Sequence, residues 1–325
     1  MWRSLLAILI LVFVVPVMAQ DEVAMSVPDY TSPSLDVLPA NPDIVYARDY
    51  QQVIGAVDIY DAPGGNYLRT RPAGTFFVSV ISYEGDWAQI NSGEWILSSA
   101  LQSAPRSYLG GIFLEGRDTD AQLGLLHESV YLRTTLGSED YVPNTLIEEY
   151  EAVYVYESRI VDDVEWVRIG DNAWIRRSSV RYVNPVARPA EIESERWVGV
   201  DRDEQVLIAY DGDTPFFATL VSTGLDESPT HEGFYSTYAR FSPRDMSRGN
   251  INQPWFYHME DVPYTFYFNG DQALHGAYWH NSFGTPQSHG CVNMSLTAAH
   301  YVYNFLSETL DITDENAIWS MVWVY

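Results

Sequence analysis

The chain has 325 residues, with 18 Lys+Arg against 44 Asp+Glu and a net charge of −26. That charge excludes nucleic-acid binding and adhesion to an anionic membrane driven by attraction. One cysteine, Cys291, excludes an internal disulfide and any multi-cysteine zinc or iron–sulfur site, while 46% hydrophobic and 14% aromatic content suffices for a packed core.

Residues 1–19 read as a secretory signal. Arg3 opens it, 13 apolar residues follow from Leu5 to Val17, and Ala19 offers a small residue before a cut. The run is shorter than the roughly 20 residues of a spanning helix and Pro16 interrupts it, so no stable membrane span is expected after cleavage. The mature chain is expected to work outside the cytoplasm, where a lone thiol stands out as reactive. Residues 20–45 are acidic and carry Pro28, Pro33, Pro39 and Pro42, the composition of a flexible tether.

An internal repeat follows. Trp87 to Ile90 with Trp95-Ile96 recurs as Trp166 to Ile169 with Trp174-Ile175, at a constant offset of 79 residues. The short alternating runs around it predict small antiparallel β units over 46–103 and 107–185. The Trp-x-x-Ile…Trp-Ile pattern resembles bacterial SH3-like modules, which implies wall binding or a spacer role. Pro185 and Pro189, before an acidic run, mark the next boundary. Beyond it, residues 197–210 and 216–222 alternate as strands, and Asn269-Gly270 predicts a hairpin turn because both residues tolerate positive φ. Residues 295–310 predict the principal helix, capped by Ser295 or Thr297, with Leu296, Ala299, Tyr303, Leu306 and Leu310 as its apolar stripe.

Six of the seven histidines lie between His231 and His300, and His275, His280 and His289 precede the only cysteine closely. A thiol with an ordinary pKa near 8.5 needs a neighbouring base to act as a nucleophile at neutral pH. His275 and Cys291 are 16 residues apart. A continuous helix would separate them by about 24 Å, whereas two strands joined by a long returning loop would bring them together. Gly284-Thr285-Pro286 supplies turn chemistry for that return.

His275-Gly276, a loop, then Ser288-His289-Gly290-Cys291-Val292-Asn293 is similar to the signature of the L,D-transpeptidase catalytic domain, the cysteine-dependent family that cross-links peptidoglycan. The resemblance takes in Trp197 to Tyr210 and Ser222 to Gly224, and spans residues 195–325. It implies a mainly β chain: two SH3-like β-barrel modules, then a β-sandwich-like catalytic domain with one principal helix after the nucleophile. It implies Cys291 as nucleophile, His275 as general base, and the Gly276 carbonyl as the group orienting that ring. His289 would shape the site, and backbone N–H groups around Gly290 and Cys291 would form the oxyanion hole. Ser288 and Asn293 would support the site, and Trp279, Tyr278, Phe283 and His280 would wall or gate the cleft. The substrates implied are donor and acceptor peptidoglycan stem peptides, with no cofactor and no metal.

Two departures from the family pattern stand out. Pro229-Thr230-His231-Glu232-Gly233 replaces the Thr-Pro-x-Gly of many members, and no arginine follows Arg248. Thiolate stabilisation would then fall to His275, His289, backbone donors and the helix N-terminus near Ser295. Three rival readings compete with this one. They are hydrolysis of the same thioester (L,D-carboxypeptidase), a non-catalytic wall-binding protein, and zinc on His275, His280, His289 and Cys291. The zinc reading has spacings of 5, 9 and 2 that fit no helical ligand pair.

Overall fold

The computed structural model describes residues 28–325 except 91–92, 119, 251–252, 254–255, 309, 311–312 and 315–316. The proposed signal segment lies outside the described residues. Among these, no helix is long and apolar enough to cross a membrane.

The carboxy-terminal half is built on a seven-stranded sheet. Its centre is the meander Arg196–Asp201, Val206–Asp211 and Thr214–Leu220, with Met321–Val324 added in parallel beside Arg196–Asp201. Both faces of this sheet are buried, which the near-continuous apolar run of Val206–Asp211 already requires. One face (Val198, Val200, Leu207, Ala209) packs on a four-stranded sheet through Phe266, Phe268, Leu274, Val292 and Met294, and on the helix Leu296–Ser307 through Ala298, Val302 and Leu306. The other face (Trp197, Ile208, Tyr210, Leu220) packs on Leu109, Ile112, Leu123 and Leu125 from the amino-terminal half. The expected helix forms over Leu296–Ser307, and Ser295 caps it by accepting from Ala298 N–H. The expected hairpin forms as Thr265–Asn269 and Gln272–Gly276, with Gly270 at φ +57° in its turn.

The sequence repeat is a structural repeat. In the first copy Gln89 faces Trp95 across the Trp87–Ile90 and Glu94–Leu97 strands; in the second, Arg168 faces Trp174 across Val164–Gly170 and Ala173–Arg176. Each copy then makes one 3-10 turn, Ser98–Ala100 or Arg177–Ser179, before a last strand. The sheets around the two copies differ. The expected span 107–185 needs correction, since its Gly111–Phe113 strand belongs to the seven-stranded sheet beside Thr214–Leu220; among the described residues the strands of 122–182 pair only with one another, apart from a bridge between Asp29 and Asp171. In the first, strand Thr75–Glu84 also takes on a hairpin from the carboxy-terminal half, Arg244–Arg248 and Tyr257–Val262, through parallel pairs Tyr257–Thr75, His258–Phe76 and Met259–Phe77.

The described part of the expected tether is not free. Val37–Leu38 pairs with Gly111–Phe113 at the edge of the seven-stranded sheet. The short helix Pro42–Val45 is capped by Asn41, whose side chain accepts from Asp43 N–H and whose own N–H donates to Thr297 Oγ1 (3.1 Å). Its prolines and charge are those of a linker, yet Leu35, Leu38 and Ile44 each find an apolar cluster to pack against.

Candidate active site

Strand Gln272–Gly276 carries His275 and runs parallel to Val292–Met294, so that His275 lies beside Asn293 in register, two residues after Cys291. The chain between them leaves the sheet, turns at Gly284 (φ +93°) and returns, which is the strand–loop–strand geometry the spacing demands. His275, Cys291, Asn293, Ser288, His289 and Trp279 line one cleft of about 300 Å³.

The His275 ring is held by Nδ1, 3.1 Å from Gly276 O. A carbonyl only accepts, so Nδ1 carries the proton and Nε2 keeps its lone pair. His275 is 2% exposed, and desolvation lowers its pKa to about 4. Cys291 keeps some surface towards the cleft but is surrounded by protein elsewhere. Desolvation pushes its thiol up to about 11, with Asp271 raising it further and a backbone hydrogen bond at Ala273 and the Arg248 charge opposing. At neutral pH the pair is therefore thiol plus imidazole, and the thiol lies 3.6 Å from Asp271 O.

The Ser288-His289-Gly290-Cys291 turn is fixed by its own side chains. Ser288 Oγ donates to Cys291 O (2.5 Å) and accepts from Gly290 N–H (3.1 Å). Gly290 has φ +118°, and a Cβ there would sit 2.8 Å from Gln272 Nε2, so both backbone and space call for glycine. Gln272 braces the neighbouring loop as well, donating to Pro229 O (2.9 Å) and accepting from His231 N–H (3.2 Å). This clamp anchors the segment in which the sequence departs from the family pattern.

Several expected placements need correction. The Gly290 N–H is occupied by Ser288 Oγ and is not available as an oxyanion donor. Tyr278 does not wall the cleft: it is 2% exposed, stacks on Tyr50 at 3.6 Å, and donates to Glu260 O (2.6 Å). Phe283 is fully buried in the core shared with the amino-terminal half. The helix cap at Ser295 turns towards Leu109 O (2.6 Å) rather than towards the thiol. His280 stands behind the cleft, its Nε2 2.9 Å from the Asn293 amide and its Nδ1 accepting from Ser282 N–H (3.2 Å). A neutral ring accepting at Nδ1 must donate at Nε2, while Asn293 Oδ1 is buried without a partner. Turning the amide over pairs Oδ1 with Nε2–H and leaves the Asn293 NH2 as a donor on a cleft residue.

The structure also brings in residues that sequence reasoning missed. Met246, Tyr257 and Met259 from the Arg244–Val262 hairpin, Gln287, and Thr75 from the first repeat complete the cleft wall. Arg248 on the same hairpin donates to His289 O (3.0 Å), so a cation does approach the thiol, from upstream in sequence. The Tyr257 ring lies 5.2 Å from His289, and burial raises its hydroxyl to about 12. Its only sequence signal was its place at the end of the aromatic run Trp255-Phe256-Tyr257. Among the described residues no group of three or more His, Cys, Asp or Glu is placed to hold a metal ion.

A buried imidazole and a lone cysteine lining one cleft are the side chains that cysteine acyl-transfer chemistry employs. Residues 195–313 match the family YkuD: L,D-transpeptidase catalytic domain. No curated protein matches the chain. Among solved structures, an L,D-transpeptidase from Stackebrandtia nassauensis is 22% identical over 43% of this chain and 58% of its own (TM-score 0.31). One from Enterococcus faecium is 16% identical over 41% and 50% (TM-score 0.33), and one from Mycobacterium smegmatis 15% identical over 84% and 99% (TM-score 0.35). The chain thus spans about half the length of the first two.

Proposed function

We propose that the chain is an extracytoplasmic L,D-transpeptidase acting on peptidoglycan stem peptides, with its amino-terminal repeats as SH3-like modules. The observation that carries the reading is His275, its Nδ1 tied to Gly276 O and its Nε2 without a partner among the described residues, in one cleft with Cys291.

Sγ attacks the carbonyl of the third stem residue as its proton passes to His275 Nε2. The resting pair is neutral, so attack and proton transfer are coupled. The oxyanion is met by the Cys291 N–H and the Tyr257 hydroxyl, a donor at neutral pH because burial holds it protonated. The C–N bond to terminal D-alanine breaks, His275 returns the proton to the leaving amine, and a thioester remains. An acceptor side-chain amine then attacks the thioester and loses its proton to His275, which passes it to the departing thiolate. Gln287 and Thr75, both exposed in the cleft, are polar groups available to the stem backbone.

The test is mass spectrometry of the protein incubated with a tetrapeptide stem. A thioester on Cys291, absent in Cys291→Ala, and a cross-linked product with acceptor are expected; release of D-alanine without a Cys291 adduct overturns the reading. Alkylation by iodoacetamide supplies a second readout. Its rate should keep climbing above pH 9, because burial holds the thiol at about 11; a plateau below pH 8 would indicate a preformed thiolate–imidazolium pair.

A further inference from the structure

We propose that the first repeat is a working part of the active site. Its strand Thr75–Glu84 holds the Arg244–Val262 hairpin in register over Cys291, and its Thr75 supplies part of the cleft wall, making Tyr50, Phe77 and Thr75 positioning and specificity residues. The proposal deepens the transpeptidase reading above and rests on it for the identity of the substrate.

Strand Tyr257–Val262 is flanked by Arg244–Arg248 on one side and by Thr75–Glu84 on the other. Its partner Arg244–Arg248 is exposed along most of its length, so it offers little apolar surface to anchor the hairpin. A two-stranded hairpin by itself is marginally stable in water, and a third strand with an apolar face is what makes it persist. That third strand comes from the first repeat. The residue opposite Thr75 is Tyr257, the hydroxyl assigned above to the oxyanion, and the residue opposite Phe77 is Met259, which also lines the cleft. A slip of one residue in this pairing would turn Tyr257 and Met259 to the other face of the sheet and present His258 instead.

The contacts behind the pairing fix that register. Tyr50, Phe77, Met259, Val262, Tyr278 and Leu296 form one buried cluster that draws on the first repeat, the hairpin, and the loop and helix that follow the two catalytic strands. Within it Tyr50 stacks on Tyr278, and Phe77 meets Tyr278 edge-on at 6.1 Å. Two hydroxyls tie the hairpin backbone down: Tyr50 Oη donates to Asp261 O (3.0 Å), and Tyr278 Oη to Glu260 O. The Glu260 carboxylate is buried and accepts from Ser79 N–H of the first repeat (3.3 Å). A burial of this kind binds the two parts more tightly than a surface contact, since an unmatched carboxylate there would be costly. Thr75 itself remains exposed, at the open side of the cleft facing the nucleophile.

Two variants test this. Tyr50→Phe removes one tie without entering the cleft. Amide exchange over residues 257–262 should accelerate about fivefold, one hydrogen bond's worth, with the second repeat unchanged, and KM for a tetrapeptide stem should rise more than kcat falls. Thr75→Trp adds bulk to the cleft wall without touching the buried cluster. Thermal stability should hold, and acylation of Cys291 by the stem peptide should slow at least tenfold, while alkylation by iodoacetamide, a much smaller reagent, changes less than twofold. Wild-type acylation in Thr75→Trp, or hairpin exchange that is indifferent to Tyr50→Phe, overturns the proposal. If the wild-type protein takes no stem peptide at all, the transpeptidase reading fails instead, and exchange in Tyr50→Phe still decides whether the first repeat holds the hairpin.

Discussion

The two repeats share a hairpin, a register and a 3-10 turn, yet they meet the catalytic half in different ways. The first joins it through backbone, strand to strand, at the cleft. The second joins it by backbone only at Gly111–Phe113, inside the seven-stranded sheet, and its Trp166 hairpin meets it through side chains, on the far face of that sheet. Arg177 pairs with Glu204 and lies 3.6 Å over the Tyr182 ring, Arg181 donates to Gly284 O (2.6 Å), and Tyr150 donates to Asn281 O (2.6 Å). Gly284 is pressed so close to His127 that a Cβ would collide with it. The difference teaches that a duplicated module can be a buttress in one place and a wall of the active site in another, depending on whether an edge strand is left open. Trp166 is 1% exposed beneath Arg133 and Arg176, whereas its counterpart Trp87 is only half-buried, against Tyr60. The second copy has closed its own core; the first has kept an edge for the hairpin.

Acid should produce the largest effect, because it attacks both contacts. Burial lowers His275 and His280 to about 4, and also lowers His127 beside Gly284 and His258 at the strand pairing. A folded-state value below the unfolded one near 6.5 means that unfolding takes up protons, so stability is lost as pH falls from 6.5 towards 4. His275 and His280 together should give a slope approaching about 2.7 kcal/mol per pH unit near pH 5. Urea unfolding at several pH values measures it, and a slope below one proton would show that these rings are hydrated in solution.

Next in size come two core truncations. Phe77→Ala and Trp166→Ala each remove a buried aromatic, at 5% and 1% exposure, and each should cost about 3–5 kcal/mol. Their consequences should separate. Phe77→Ala should release the Arg244–Val262 hairpin and weaken Cys291 acylation under conditions where the protein is still folded. Trp166→Ala should lower the unfolding midpoint and leave acylation of the folded fraction unchanged. Equal losses of activity would erase the distinction between buttress and wall.

How much of this was legible in the sequence follows from the range of the forces involved. The helix Leu296–Ser307, the Asn269-Gly270 turn and the strand–loop–strand around His275 and Cys291 are local: a cap, a positive-φ turn and a spacing suffice. The Gly276–His275 contact is local as well. Tyr278 and Phe283 were misplaced because an aromatic near a nucleophile looks alike in sequence whether it faces the cleft or the core. Both residues lie in the loop after Gln272–Gly276, where no strand alternation assigns a face. Thr75, Arg248 and Tyr257 were invisible for a different reason, since their position depends on a parallel pairing between strands about 180 residues apart, set by an open edge and a shared apolar cluster. The ordering of residues 28–45 belongs to the same class, as its stabilising partners, Gly111–Phe113 and Thr297, are remote in sequence.

The smallest expected effects come from removing one charge at each contact. Arg48 pairs with Asp261 beside the hairpin, and Arg177 pairs with Glu204 beneath the second repeat. The Arg48 side chain is 38% exposed, so solvent screens it and Arg48→Gln should cost no more than about 1 kcal/mol. Arg177 and Glu204 are each 16% exposed, and Glu204 also accepts from Tyr182 N–H (2.8 Å), so the carboxylate keeps a partner in Arg177→Gln and the cost should be about 1–2 kcal/mol. Stability alone would therefore rank Arg177 above Arg48. Reactivity should rank them the other way. Loosening Asp261 acts on the strand that carries Tyr257 and should slow acylation of Cys291 about twofold to threefold. Loosening Glu204 acts on the turn after Arg196–Asp201 and not on the hairpin that carries Tyr257, and should leave the acylation rate within error of wild type. Stopped-flow acylation beside urea unfolding for both variants measures the two rankings, and agreement between them would mean that the first repeat only stabilises.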